Sequence, residues 1–209
     1  MPATGMSRTK SIVYIALCIA VMAVSAWVTI PLGPVPFTLQ MFALTFAIVV
    51  LSPRECLCAV AGYLLLGAVG VPVFSGMQGG LGKLMGPTGG FLWGYLFGAA
   101  AGVALLYAVR RRRAARDGGA RGAVGAAETQ PARGGKAVAF VRAFGWEVLA
   151  GLLFTAIAYV CGTLQFMVVM GATLPEALAS CVAPFVAVDV CKVVAAVVAA
   201  RAVRTATGR

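Results

Sequence analysis

The sequence contains no histidine and only 6 acidic residues, against 17 lysines and arginines, in a chain of 209 residues. Without histidine, it lacks the side chain that serves most often as a catalytic base and as a metal ligand. The 6 cysteines include no Cys-x-x-Cys pair. We therefore expect no metal site, no cofactor and no disulfide framework. A nucleophile beside a matching base is also lacking, which argues against a membrane enzyme.

Charge of either sign is scarce, because only 11% of the residues are charged while 61% are hydrophobic. Mean hydropathy is +0.97. Soluble domains carry about 25% charged residues, so the composition predicts an all-α, polytopic membrane protein in a lipid bilayer. The net charge of +11 lies mostly between apolar segments. It is therefore expected to set the membrane topology, and no nucleic acid is expected as a partner.

Six apolar segments are predicted to cross the bilayer as helices. They are residues 11–30, 38–51, 56–70, 91–109, 146–170 and 181–200. Residues 110–142 form a basic linker rich in Ala and Gly. In this arrangement most basic residues share one side, which predicts that both termini and the linker are cytoplasmic. The first segment resembles a signal peptide, but its apolar run is long and more spans follow, so we expect no cleavage.

Glycine is concentrated in two places. Residues 71–90 form a glycine-rich loop with several apolar side chains, which we expect to act as an external lid over a pocket. Its Lys83 invites comparison with a phosphate-binding loop, but Met77 and Leu84 occupy positions where that motif needs glycine and Ser or Thr. The second place is the fourth span, where glycine recurs at every fourth residue from Gly90 to Gly102 and predicts close packing against another helix.

The last span contains Asp189 and Lys192, which lie three residues apart and therefore share one face of a helix. An ionisable side chain in the bilayer costs at least ~2.5 kcal/mol on insertion scales. Such residues are retained when they pair, line a polar cavity or bind a ligand. We interpret them mainly as the polar end of a ligand or ion site, with a purely structural ion pair as the alternative.

Three stretches carry a resemblance to a known family: IPLGPVPFTLQ (30–40), GYLLLGAVGVPVFSGMQGGLGKLMGPTGGFLWGY (62–95) and FVAVDVCK (185–192). Together they resemble the BioY family, the biotin-specific S components of energy-coupling-factor (ECF) vitamin transporters, and the likeness extends from Ser11 to Arg201. It implies a six-helix S-component fold in a prokaryotic cell membrane, with biotin beneath the loops that follow helices 1 and 3. Its implied partners are a transmembrane coupling subunit (T component) and two ABC-type ATPases. The family's Ala-x-x-x-Ala contact with the coupling subunit matches Ala16 and Ala20.

The resemblance also implies which side chains would meet biotin. Asp189 can accept a hydrogen bond from a ureido N–H, Lys192 can stabilise Asp189 or donate to the ligand, and apolar side chains can enclose the rest. The end of biotin that faces Asp189 stays open. The predicted binding residues are Asp189, Lys192, Gln40, Thr38, Phe74, Gly79, Gly80, Trp93 and Tyr159.

Two other functions remain open from the residues. One is a self-sufficient ion-coupled carrier in which Asp189 is the proton site; the absence of an inverted repeat argues against it. The other is an S component for a different vitamin. The absence of a phosphate loop agrees with a transport subunit whose energy comes from partner ATPases.

Overall fold

The chain folds into a bundle of helices. The computed structural model describes the backbone of residues 8–31, 33–123 and 133–207, and the side chains of the same ranges except 116–123 and 133–140. Within these residues the helices are α1 (Arg8–Trp27), α2 (Gln40–Val50), α3 (Pro53–Val69), α4 (Leu81–Met85), α5 (Gly89–Ala123), α6 (Arg133–Met170), α7 (Leu174–Cys181) and α8 (Val186–Thr207). Two short strands, β1 (Thr29–Ile30) and β2 (Phe37–Thr38), form an antiparallel pair. The predicted all-α class is confirmed.

Three of the described helices are long and apolar enough to cross a membrane: α1, the Gly89–Ala115 part of α5, and the Val141–Met170 part of α6. The pair α7 and α8 meets the same criterion when taken as one broken span with a bend of 45°. Helix α2 is apolar but has only 11 residues. The helices therefore follow the order of the predicted spans, although their lengths differ.

Local sequence accounts for several helix boundaries. Helix α3 begins at Pro53 because Ser52 and Glu55 form a capping box, in which Glu55 Oε2 accepts from the Ser52 N–H at 3.0 Å. Helix α5 continues to Ala123 and α6 starts at Arg133, so both reach into the segment 110–142 that the sequence treated as a linker. Residues 124–132 of that segment lie outside the described residues.

Helices α5 and α6 pack along each other at close range, as the glycine spacing predicted. A Cβ atom added at Gly94 would lie 2.7 Å from Ala158 Cα, and one at Gly98 would lie 2.8 Å from the Phe154 carbonyl oxygen. Only glycine allows the two backbones to approach so closely. The predicted small-residue groove is therefore confirmed, and its occupant is α6.

The remaining helices complete one core, with α2 packed against α8 and α1 against α3. The two strands fold the proline-rich segment back so that Thr38 pairs with Thr29 in register. At the end of α8 away from Asp189, the buried carboxylate of Glu147 accepts hydrogen bonds from Arg201 and Arg204. Ion pairs thus lie at both ends of α8, and Asp189 and Lys192 line the cavity described below.

Candidate functional site

A cavity lies where the first turn of α8 meets the proline-rich segment, α5, α6 and the loop of residues 71–90. It combines one acidic side chain and two lysines with six aromatic rings. Its lining residues are Val35, Pro36, Phe37, Thr38, Gln40, Met41, Phe74, Ser75, Lys83, Thr88, Phe91, Leu92, Tyr95, Tyr159, Cys181, Phe185, Asp189 and Lys192. Apolar walls with a few polar groups are the usual composition of a small-molecule site.

Asp189 and Lys192 form a buried ion pair at this cavity, with 2.8 Å between Lys192 Nζ and Asp189 Oδ1. Tyr159 donates its hydroxyl proton to Asp189 Oδ2 at 2.6 Å. Each carboxylate oxygen therefore has one protein donor and keeps capacity for another, since an ionised carboxylate offers about four acceptor positions. The ion pair is therefore part of the cavity wall.

Lys192 is oriented by two further groups. Its Nζ donates to the Thr38 carbonyl oxygen at 2.7 Å and lies 3.6 Å from the centroid of the Phe37 ring. Two of the three ammonium protons are thus committed to Asp189 and Thr38, and one is left for a ligand. Thr38 therefore contributes its backbone carbonyl oxygen to the site.

The break between α7 and α8 places Asp189 in the first turn of α8. The dipole of α8 favours a negative charge in its first turn, by about 0.3–1 kcal/mol for an exposed group. Sequence reasoning had started the last span at Cys181, which would have placed Asp189 deeper in a continuous helix. The observed break explains how a carboxylate is tolerated there.

Aromatic rings form the apolar walls. Phe37 and Phe185 stack with their centroids 6.3 Å apart, and Phe91 meets Tyr159 edge-on at the same separation. Phe91 can approach α6 because position 162 is glycine, where a Cβ atom would lie 2.5 Å from the ring. A flat, apolar ring system with polar edges would fit between such walls.

The loop of residues 71–90 contributes Phe74, Ser75, Lys83 and Thr88 to the cavity lining and is held at both ends. On one side Trp27 Nε1 donates to the Pro72 carbonyl at 2.8 Å. On the other, Gln165 Nε2 donates to the carbonyls of Leu84 and Gly86 at 2.8 and 2.9 Å. Phe74 fits beneath the loop because position 67 is glycine, where a Cβ atom would lie 2.0 Å from the ring.

Lys83 is the cationic group that the loop adds to the cavity. Its side chain is half-buried, and burial lowers its pKa from the ordinary lysine value. No acidic side chain among residues 8–31, 33–115 and 141–207 lies within ion-pair distance of it. A half-buried lysine without a counterion is suited to an anionic ligand group.

The structure brings six of the predicted binding residues to the cavity: Asp189, Lys192, Gln40, Thr38, Phe74 and Tyr159. Trp93 is not among the lining residues and is 37% exposed. The reason is helical geometry, since α5 turns Leu92 and Tyr95 inward and Trp93 outward.

Gly79 and Gly80 also lie outside the cavity lining, and they shape the loop instead. A Cβ atom at Gly79 would come within 2.5 Å of the Val71 carbonyl oxygen, so this position must be glycine for the loop to close on itself. Gly80 has a φ of +95°, a backbone conformation that other residues rarely adopt.

Sequence reasoning missed several residues of the cavity. Phe185 precedes Asp189 by one helical turn, and Phe91 and Tyr95 are likewise one turn apart, so the 3.6-residue period could have identified them. Lys83 was considered only for phosphate binding. The position of its side chain depends on how the loop folds, for which the sequence offers no period.

Ala16 and Ala20 lie on an exposed face of α1. The large apolar side chains Ile12, Val13 and Leu17 are more than half exposed on the same helix. Neither alanine is among the residues that line the cavity.

Comparison with known proteins finds relatives of one kind. The chain is 52% identical over 80 residues to "Biotin transporter BioY" of Thermotoga maritima, covering 38% of this chain and 47% of the relative. It is 40% identical over 85 residues to "Probable biotin transporter BioY" of Pyrococcus horikoshii, covering 41% and 52%. The chain thus spans about half the length of these curated relatives in the matched regions.

A solved structure, the S-component for biotin from an ECF-type ABC transporter, has the same fold. The two chains are 22% identical with a TM-score of 0.76, and the match covers 96% of this chain and 95% of that one. The BioY family model matches residues 1–209. On this match along its whole length, the chain belongs to the BioY family.

Proposed function

We propose that this chain is the biotin-binding, substrate-specific subunit of an ECF-type uptake transporter in a prokaryotic cell membrane. The observation that carries the proposal is the buried Asp189–Lys192 pair in the wall of an aromatic cavity, to which the loop of residues 71–90 adds Lys83. Membership of the BioY family and the names of the curated relatives support the same ligand.

The ureido end of biotin fits the Asp189–Lys192 wall. This group has two N–H donors and a strong carbonyl acceptor. Asp189 retains acceptor capacity beyond its bonds to Lys192 and Tyr159, so it can accept from a ureido N–H. The free proton of Lys192 can be donated to the ureido oxygen. The sequence left open which end of biotin meets Asp189, and this wall favours the ureido end.

The rest of biotin matches the other walls. Its thiophane ring and alkyl chain are apolar and fit between the aromatic side chains, of which Phe74 and Tyr159 were predicted to enclose it. Its carboxylate would then lie toward the loop. Lys83 has no acidic partner among the described residues and can pair with that carboxylate. The ureido end would meet hydrogen-bond partners, and the carboxylate end would meet a positive charge.

The chain is proposed to bind the ligand while other subunits supply the energy. Its sequence has no phosphate-binding loop, and the family resemblance implies a coupling subunit and two ATPases as partners. The exposed face of α1 around Ala16 and Ala20 offers small residues at helical spacing, which allow a second membrane helix to approach closely. We assign this face to the coupling subunit, and we regard the chain as a transport subunit without enzymatic activity.

Uptake into liposomes tests whether this chain needs partner subunits and ATP for transport. Vesicles that contain this chain alone are compared with vesicles that contain the chain, the coupling subunit and both ATPases with ATP. The proposal expects accumulation of labelled biotin only with the full set. Concentrative uptake by the chain alone, driven by a pH gradient, would instead favour an ion-coupled carrier with Asp189 as its proton site.

A further inference from the structure

A short chain of buried hydrogen bonds links the cavity to the loop of residues 71–90. Gln40 Nε2 donates to the Tyr63 hydroxyl at 2.6 Å, and that hydroxyl donates to the Val73 carbonyl oxygen at 2.8 Å. Tyr63 is fully buried and is not among the residues that line the cavity, whereas Gln40 is. Tyr63 can therefore influence a ligand only through Gln40 or through the loop.

The carbonyl group of Val73 fixes the donor and the acceptor in both hydrogen bonds. A backbone carbonyl can only accept, so the single hydroxyl proton of Tyr63 is used by Val73. The Tyr63 oxygen must then accept from Gln40, which can offer only its NH₂ group. Rotating the amide by half a turn would place two acceptors against each other and would leave a buried group unpaired, which is strongly disfavoured.

With its NH₂ group held by Tyr63, Gln40 has its carbonyl oxygen Oε1 left over. Within the part of the chain whose side chains are described, no group donates to this oxygen, and it is not sealed from solvent. Gln40 itself lines the cavity. The cavity therefore receives a neutral hydrogen-bond acceptor of fixed orientation, two residues after the Thr38 carbonyl that holds Lys192.

We propose that Tyr63 is a positioning residue that fixes the amide of Gln40 with its carbonyl toward the cavity, where it accepts a hydrogen bond from a ligand N–H. This inference rests on the proposed function, since it assigns Gln40 to one ureido N–H of biotin and Asp189 to the other. Lys192 then serves the ureido oxygen. The wall would thus present two acceptors and one donor, the complement of a cyclic urea.

A merely structural role for Tyr63 is the alternative. Its hydroxyl anchors the loop through Val73, and its ring meets the edge of Phe74 with centroids 5.6 Å apart. Loss of that anchor would weaken binding whichever residue stands at position 40. The two roles are therefore separated by asking whether the effect of Tyr63 depends on Gln40.

The experiment is a double-mutant cycle on the purified full chain, with biotin affinity measured by calorimetry. Gln40→Met removes the acceptor and keeps the Tyr63–Val73 bond, and it is expected to weaken binding about tenfold. Tyr63→Phe leaves the amide free to rotate and is expected to weaken binding about threefold. Exposed Tyr107 lies away from the cavity, so Tyr107→Phe serves as the matched control and should bind like the wild type.

The double variant decides between the two roles. The inference expects it to bind like Gln40→Met alone, within about twofold, because Tyr63 has nothing left to orient. An equal loss from Tyr63→Phe in both backgrounds would make it a loop anchor and overturn the inference, as would wild-type affinity in Gln40→Met. Absence of biotin binding by the wild-type chain would be a different result, because it would overturn the proposed function itself.

Gln40→Glu provides a second test that leaves Tyr63 intact, for use if Tyr63→Phe does not fold. If the Tyr63 oxygen requires a donor at position 40, glutamate must carry a proton to satisfy it, and burial favours the protonated form. Biotin affinity of this variant should then rise as the pH falls from about 8 to about 6, and it should rise more steeply than that of the wild type. Identical pH profiles for the two proteins would contradict the inference.

Discussion

Replacing Asp189 by asparagine should separate ligand binding from structural pairing at the Asp189–Lys192 wall. The substitution keeps the size of the side chain and an oxygen that Tyr159 can still donate to. It removes the negative charge, and with it a charge-assisted hydrogen bond to a ligand N–H worth about 1.5–3 kcal/mol. The expected loss of biotin affinity is therefore about tenfold to more than a hundredfold.

The same substitution also leaves Lys192 buried without its counterion, at 8% exposure. Breaking a buried ion pair by removing one partner costs about 3–5 kcal/mol, whereas removing both charges is often close to neutral. We therefore expect Asp189→Asn to lower the thermal stability of the unliganded protein. The double variant Asp189→Asn with Lys192→Met should recover much of that stability and should still bind biotin weakly.

Calorimetric titration with biotin and thermal unfolding without it, on the same preparations, measure the two effects. Trp93→Phe is the matched control, because Trp93 lies on the cavity's helix but faces away from the lining. If the double variant regained wild-type affinity together with its stability, the pair would be structural. The assignment of the ureido end to this wall would then be refuted.

Three further predictions concern the rest of the molecule. Lys83→Met should weaken biotin binding about tenfold but leave the binding of biotin amide nearly unchanged. In the wild type, the preference for biotin over biotin amide should decline as the pH rises and Lys83 loses its charge. Because burial lowers the pKa of Lys83, this decline should occur at a lower pH than it would for an exposed lysine. Reporter fusions at both termini and within 110–142 should all report the cytoplasm, and an external position for 110–142 would contradict the predicted topology. Ala16→Trp or Ala20→Trp should keep biotin affinity within about threefold while abolishing co-purification with the coupling subunit, whereas Val168→Trp, at a position 85% exposed on α6, should affect neither. Lost affinity with intact assembly would place the α1 alanines inside the binding machinery.

The sequence predicted best where a short local pattern determines the structure. Asp189 and Lys192 were identified by their spacing within an apolar helix, and they form an ion pair at the cavity. The glycines of α5 were identified by their period of four, and they allow α6 to approach. In both cases the residues concerned lie on one face of a single helix, so their spacing in the sequence is enough to identify them.

Prediction failed where contacts join distant segments. Trp93 was placed at the site because it is aromatic and close to the lid, whereas the rotation of α5 turns it away. Tyr63 was not considered, because its role depends on Gln40 and on a carbonyl in a loop that folds back over α3. The break before α8 was also missed, although Pro184 lies within residues 182–185 and interrupts a regular helix there.

The most direct test of the account is a titration of the purified, ligand-free chain with biotin, in detergent and without partner subunits. We expect saturable binding of one biotin per chain with a dissociation constant below about 1 μM, because both ends of the ligand meet complementary groups in an apolar cavity. Mass spectrometry of chain purified from cells grown with biotin should find the vitamin bound. Absence of binding at about 100 μM biotin, by a chain that unfolds cooperatively, would contradict the account.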